Sequence, residues 1–307
     1  MFQPLVHGLV PILATPFGPD GALDLKSLDR LTRFQLEAGV DGVATFGMAS
    51  EGFALTAVER TQVLATIVDA VGGAVPVVAG VNGTSTAVAV EQALAARDGG
   101  AHALMVLPPF LVKPSAAQLV DFYGEVAAAA SCEVMVQDAP GATGVAMPPA
   151  LIATLAGLDG VTSVKVEAPP TAPKVGQVVE AVAAAAVDEG FAVLGGQNAQ
   201  FVLEEHHRGA IGTMPACEFP DLLRPLLDAW ADGRRAQARA EFARITPLVL
   251  FGLQPGIAWA VHKEVLVRRG LIADAAVRSP AADLDAATRA SLHTLLDELE
   301  LPEVPLR

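Results

Sequence analysis

The chain has 307 residues, 52% of them hydrophobic, and a formal net charge of −14 at pH 7. Such a surface repels nucleic acid and anionic membrane, so neither is expected as a partner. No apolar run approaches the roughly 20 residues of a membrane helix, and Met1 to His7 shows no basic region or small-residue cleavage site, so a cytoplasmic protein is expected.

Taken in order, short β-branched runs alternate with helical stretches. Gly8 to Leu13 predicts a first strand, and the Thr15 to Gly21 cluster a turn. Asp24 caps a helix ending near Ala38, and Val43 to Phe46 is a second strand. Thr56 with Glu59 forms a capping box for the next helix. Val75 to Ala79 is a third strand, and Thr84 or Ser85 caps the helix after it. Ala103 to Leu107, Glu133 to Gln137, Val161 to Glu167, Ala192 to Gly195 and Ala210 to Met214 complete eight strands. Helices follow Ser115, Met147 and Pro220. Eight strand–helix units argue for a parallel sheet closed into a (β/α)₈ barrel, with active residues at the C-terminal strand ends. No G-x-G-x-x-G fingerprint follows the first strand, which counts against an open doubly wound sheet. The expected division is a barrel over residues 1–230 and a C-terminal helical extension over 231–307.

Lys165 stands out within the sixth strand, because a lysine in an apolar strand is costly to bury unless it is paired or used. An amine taken out of water becomes a nucleophile at neutral pH. Around it the strand ends carry Ser50 and Glu51, Asn82, Phe110, Gln137 and Asp138, Gln197 and Asn198, and Thr213. Gly47, Gly80, Gly196 and Gly212 would let backbone amides approach a ligand. Metal chemistry is poorly supported. Cys132 and Cys217 form no metal or disulfide motif, and adjacent His206 and His207 point apart on a helix, reading as solvated surface.

These residues resemble the dihydrodipicolinate synthase and N-acetylneuraminate lyase family of class I aldolases. The match runs through Thr15 to Phe17, Ala38 to Gly42, Gly47 to Glu51, Leu55 with Glu59 and Arg60, Pro108 to Phe110 with Lys113, and Pro140 with Thr143 and Gly144. It continues through Val164, Lys165 and Glu167, then Gly209 to Gly212, Lys263, and Arg278 to Pro280. The resemblance implies a homodimer or homotetramer and no cofactor or metal. It also implies an imine between Lys165 and pyruvate or another 2-oxo acid, acting as the electron sink for making or breaking a C–C or C–O bond. Met48, Ala49, Ser50, Phe110, Ala142, Gly196, Gln197 and Ile211 fall at its substrate-binding positions, and Gln137 and Asp138 at its acid–base region.

The departures are as informative. Where the family carries two hydroxyl residues the chain has Met48 and Ala49, with Ser50 and backbone amides left to meet a carboxylate. The strand-five tyrosine is Gln137, which orients but does not titrate. Asp138 is ionisable, although strand alternation turns it away from the side Gln137 faces. The second relay tyrosine falls at Leu111 and the distal carboxylate-binding arginine at Ala142. Dihydrodipicolinate synthesis is therefore not expected. Three readings stay open: a lyase, aldolase or dehydratase for a less polar 2-oxo acid, a non-catalytic sensor of keto or sugar acids, and a chemistry in which Lys165 is only an electrostatic clamp.

Overall fold

The computed structural model describes residues 4–187, 190–302 and 304, so Met1 to Gln3 of the N-terminal segment lie outside it. The chain alternates β1 (Gly8–Leu9), α1 (Leu25–Glu37), β2 (Val43–Thr45), α2 (Ala57–Val71), β3 (Val77–Val81), α3 (Thr86–Asp98), β4 (Ala103–Val106) and α4 (Ala116–Ala130). Then come β5 (Glu133–Asp138), α5 (Pro140–Thr143), α6 (Pro149–Ala156), β6 (Val161–Val166), α7 (Thr171–Ala184), β7 (Ala192–Gly195), α8 (Val202–His207) and β8 (Gly212–Thr213). Four helices finish the described chain: α9 (Pro220–Ala231), α10 (Arg235–Phe251), α11 (Ala258–Arg268) and α12 (Ala286–Leu299).

Local chemistry sets the helix starts. Asp24 accepts from the Ser27 amide, Thr56 and Glu59 form a reciprocal capping box, and Ser85 and Ser115 accept from amides in the first turns of α3 and α4. Each cap satisfies a donor that the helix leaves unpaired.

All strand pairs are parallel, in the order β1-β8-β7-β6-β5-β4-β3-β2. The ring closes just beyond β1, where Ile12 bridges both Ala44 and Ala216 and the Ala44 amide donates to Pro11 O at 2.8 Å. The fold is thus a (β/α)₈ barrel, with each strand staggered on the next as closure requires.

Alternation sorts each strand into two faces. Ile12, Ala44, Val78, Met105, Met135, Leu194 and Met214 fill the barrel's interior, while Val43, Val77, Leu104, Val136, Val164 and Val166 pack outward against the helices. Gln137 and Lys165 are register partners on β5 and β6, and Lys165 is the partner of Leu194 on β7. A buried apolar layer below and helices outside hold these two polar side chains at a fixed height.

Candidate active site

Lys165 is 4% exposed, and its Nζ lies 3.1 Å from Glu167 Oε1. Glu167 sits two residues on, so alternation brings it to the same face just past the strand end. Its other oxygen accepts from Gln137 Nε2 at 2.7 Å. Gln197 adds a bond from its side-chain amide to Glu167 O, 2.8 Å, and a longer one from its backbone amide to Oε1, 3.4 Å. An amine and a carboxylate are thereby fixed side by side at the barrel mouth.

The turn after β7 is built around that carboxylate. Gln197, Asn198 and Ala199 have φ of +47°, +52° and +61°, a left-handed run that non-glycine residues rarely adopt. The bonds of Gln197 to Glu167 hold it on one side. On the other, Asn198 accepts from the Ala216 amide and donates to Val249 O. At Gly196 a Cβ would lie 2.5 Å from Glu167 Cγ, so only glycine leaves room for the carboxylate.

A cavity of about 330 Å³ opens onto Lys165, within the size range of small-molecule sites. Met48, Ala49, Glu167 and Gln197 border it, together with Ile12, Met214, Trp259 and His262. An adjoining hollow brings Ala139 and Ala142 to the same cleft. Helix α11 completes the wall: Trp259 Nε1 donates to Met48 O at 2.6 Å, and its ring meets Phe53 edge-on.

Of the residues expected from the sequence, Lys165, Gln137, Met48, Ala49, Gly196, Gln197 and Ala142 gather here. Ser50 does not reach the cavity. It is fully buried, its carbonyl accepts from Thr15 Oγ1, and its amide donates to Gly47 O. Phe110 lies outside the cavity lining, its carbonyl accepting from Lys113 Nζ. Asp138 faces outward: its Oδ2 stands 3.2 Å from Lys174 Nζ on α7, and burial pushes its carboxyl up against the opposing pull of Lys174. Ile211 also faces outward, 43% exposed, because it is Gly212 and Met214 that alternate inward on that strand. Met214 is the residue of this segment that borders the cavity.

The surrounding polar groups support the frame. Glu51 is fully buried between Lys263 Nζ, 2.5 Å away, and the Arg278 amide, 2.8 Å. It thus ties the Met48–Ser50 turn to the C-terminal helices. Tyr123 is buried on α4 and donates to Val106 O, and burial beside Asp138 holds its hydroxyl well above the usual range. His206 is half-buried rather than solvated, and burial pushes it down to about 4, while His207 is exposed. Among the described residues no three His, Cys, Asp or Glu side chains gather as a metal site.

A barrel with a buried lysine at the C-terminal end of its sixth strand is the frame of the class I lyases. The model of the dihydrodipicolinate synthetase family matches residues 5–299, and the chain belongs to that family. It is 34% identical to the L-2-keto-3-deoxyarabonate dehydratase of Azospirillum brasilense, over 97% of this chain and 96% of the relative. It is 31% identical to a 4-hydroxy-tetrahydrodipicolinate synthase of Saccharophagus degradans, over 92% and 94%. Among solved structures it resembles YagE of E. coli K12, a prophage protein of this family in complex with pyruvate, with a TM-score of 0.90, 28% identity, and coverage of 97% and 100%. The protein is a lyase of this family.

Proposed function

We propose that the protein dehydrates a 2-oxo-3-deoxy sugar acid through an imine on Lys165. The observation that carries this reading is the placement of Glu167, 3.1 Å from the lysine amine and held by Gln137 where the family carries its acid–base tyrosine. A carboxylate beside the amine supplies the acid–base function that glutamine cannot.

Lys165 gives a proton to the adjacent Glu167 and attacks the C2 ketone; Glu167 returns that proton to the departing C2 hydroxyl, so water leaves, the imine is protonated and Glu167 is a carboxylate again. That cation acidifies C3, and Glu167 takes the C3 proton. The electron pair then expels the C4 hydroxyl, giving a conjugated imine that water hydrolyses to product and free lysine. The substrate carboxylate is assigned to the Ala49 amide, since the Ser50 amide is spent on Gly47 O. The relative named as a keto-deoxy-arabonate dehydratase, matched end to end, supports this substrate class. The absence of an arginine at Ala142 argues against a second carboxylate on the substrate.

A homodimer or homotetramer in the cytoplasm completes the proposal. Leu111 and Val112 stand 76% and 77% exposed on one loop, an apolar pair suited to a subunit contact. Turnover of five- and six-carbon 2-oxo-3-deoxy aldonic acids, followed by product mass, tests the function. Loss of water from the substrate is the expected result. Release of pyruvate would convert the assignment to an aldolase, and binding without turnover would convert it to a sensor.

A further inference from the structure

The cavity that holds Lys165 has a second titratable wall. His262, on α11, borders the same space and is 5% exposed. Its Nδ1 lies 2.7 Å from Glu218 Oε1. Glu218 follows β8 and is 1% exposed, and its Oε2 is buried without a hydrogen-bond partner. Burying a carboxylate with one oxygen unmatched is expensive, and packing alone does not call for it. The outcome of that burial is a fixed imidazole. With Nδ1 engaged by the carboxylate, Nε2 is the nitrogen left for an occupant of the cavity, and among the described residues it has no partner.

Two further features position the ring. A Cβ at Gly252 would lie 2.7 Å from His262 Cε1, so the glycine lets the end of α10 close over the imidazole. Trp259, one turn earlier on α11, is anchored to Met48 O and keeps the helix against the mouth. Glu167, by contrast, is engaged at both oxygens, by Lys165 and by Gln137. That arrangement suits a carboxylate taking a proton better than an acid presenting one.

We infer that His262 is the general acid that protonates the departing C4 hydroxyl, with Glu218 as its positioning residue; the inference rests on the dehydratase reading. Glu167 takes the C3 proton, and the freed pair becomes the C3–C4 double bond. The C4–O bond breaks with its pair on oxygen, and the proton on His262 Nε2 joins that oxygen, so water leaves. A 2-oxo acid tethered at C2 to Lys165 carries its C4 two bonds further on. Lys165 and His262 line one cavity of about 330 Å³, so the assignment sets that carbon against the His262 wall.

The test compares a 2-oxo-3-deoxy aldonate with its 4-deoxy-4-fluoro analogue, since fluoride leaves with its electron pair and needs no proton. His262→Asn is expected to lose roughly 10²–10⁴-fold in kcat on the hydroxy substrate, the ordinary scale of general acid catalysis, and to lose far less on the fluoro compound. Glu218→Gln should show the same selectivity with a smaller loss. Equal losses on both compounds would make His262 structural or a binding group. No loss on either would leave Glu167 to serve as both base and acid. Each of these overturns the assignment of His262 while wild-type turnover keeps the dehydratase reading intact. A wild-type enzyme inert on both compounds overturns that reading, and the assignment with it.

Discussion

Gln137 Nε2 donates to Glu167 Oε2 at 2.7 Å across neighbouring strands, while the opposite oxygen faces Lys165. The glutamine therefore orients the carboxylate and does not exchange protons itself. Gln137→Ala should leave imine formation in place and lower turnover about tenfold or more, as expected for losing one hydrogen bond to a charged group, about 1.5–3 kcal/mol. Steady-state kinetics alongside imine trapping separates the two steps. Loss of trapping would mean that Gln137 acts on the first step.

The consecutive glycines Gly195, the last residue of β7, and Gly196, just after it, make different predictions. At Gly196 a Cβ presses on Glu167 and displaces its carboxylate from Lys165, at the edge of the cavity and away from the packed core. Gly196→Ala should fold with a near-normal melting temperature and lose most of its activity. At Gly195 a Cβ would stand 1.9 Å from Glu205 Oε2, a buried carboxylate fixed by Thr171 Oγ1 at 2.5 Å. Gly195→Ala should instead lower the melting temperature. Thermal unfolding and activity measured on both variants check the contrast.

Glu205 makes stability depend on pH. Burial, with a smaller push from the charge of Glu167, raises its carboxyl to about 7 from the ordinary 4.5. Between those values the unfolded chain has released the proton that the folded chain still holds. Stability from this group therefore falls as pH rises through that window, by an amount on the order of 3 kcal/mol. Glu205→Gln removes the dependence. The variant should match the wild type near pH 4.5 and exceed it near pH 8 in denaturant unfolding. A difference that does not change with pH would contradict the assignment.

The buried pair Lys263–Glu51 ties α11 to the turn that carries Met48 and Ala49. Lys263→Met strands Glu51 in the interior and should cost about 3–5 kcal/mol. The double variant Lys263→Met, Glu51→Gln should recover part of that loss. Unfolding curves of the wild type, Lys263→Met, Glu51→Gln and the double variant measure the coupling.

How much of this was legible beforehand turns on counting in twos. The eight strands and most caps follow from β-branched runs and from Asp24, Thr56 and Ser115, and all are present in the fold. The same period of two, carried one step past Val166, places Glu167 beside Lys165, and it turns Asp138 and Ile211 outward. What local pattern does not contain is the docking of a distant helix. Trp259 and His262 reach the cavity only because α11 folds back over the mouth, and nothing in their own stretch of sequence marks that contact. Lys263 and Arg278 are joined to the frame in the same way, by partners, Glu51 and Glu59, that lie more than 200 residues away in the chain.

Borohydride reduction in the presence of pyruvate, then of longer 2-oxo acids, should trap the imine on Lys165 as a stable amine. Intact mass and peptide mapping should show one reduced 2-oxo acid per chain, located on the peptide containing Lys165 and absent from Lys165→Ala. An adduct that persists in Lys165→Ala, or no adduct with any 2-oxo acid, would contradict the account.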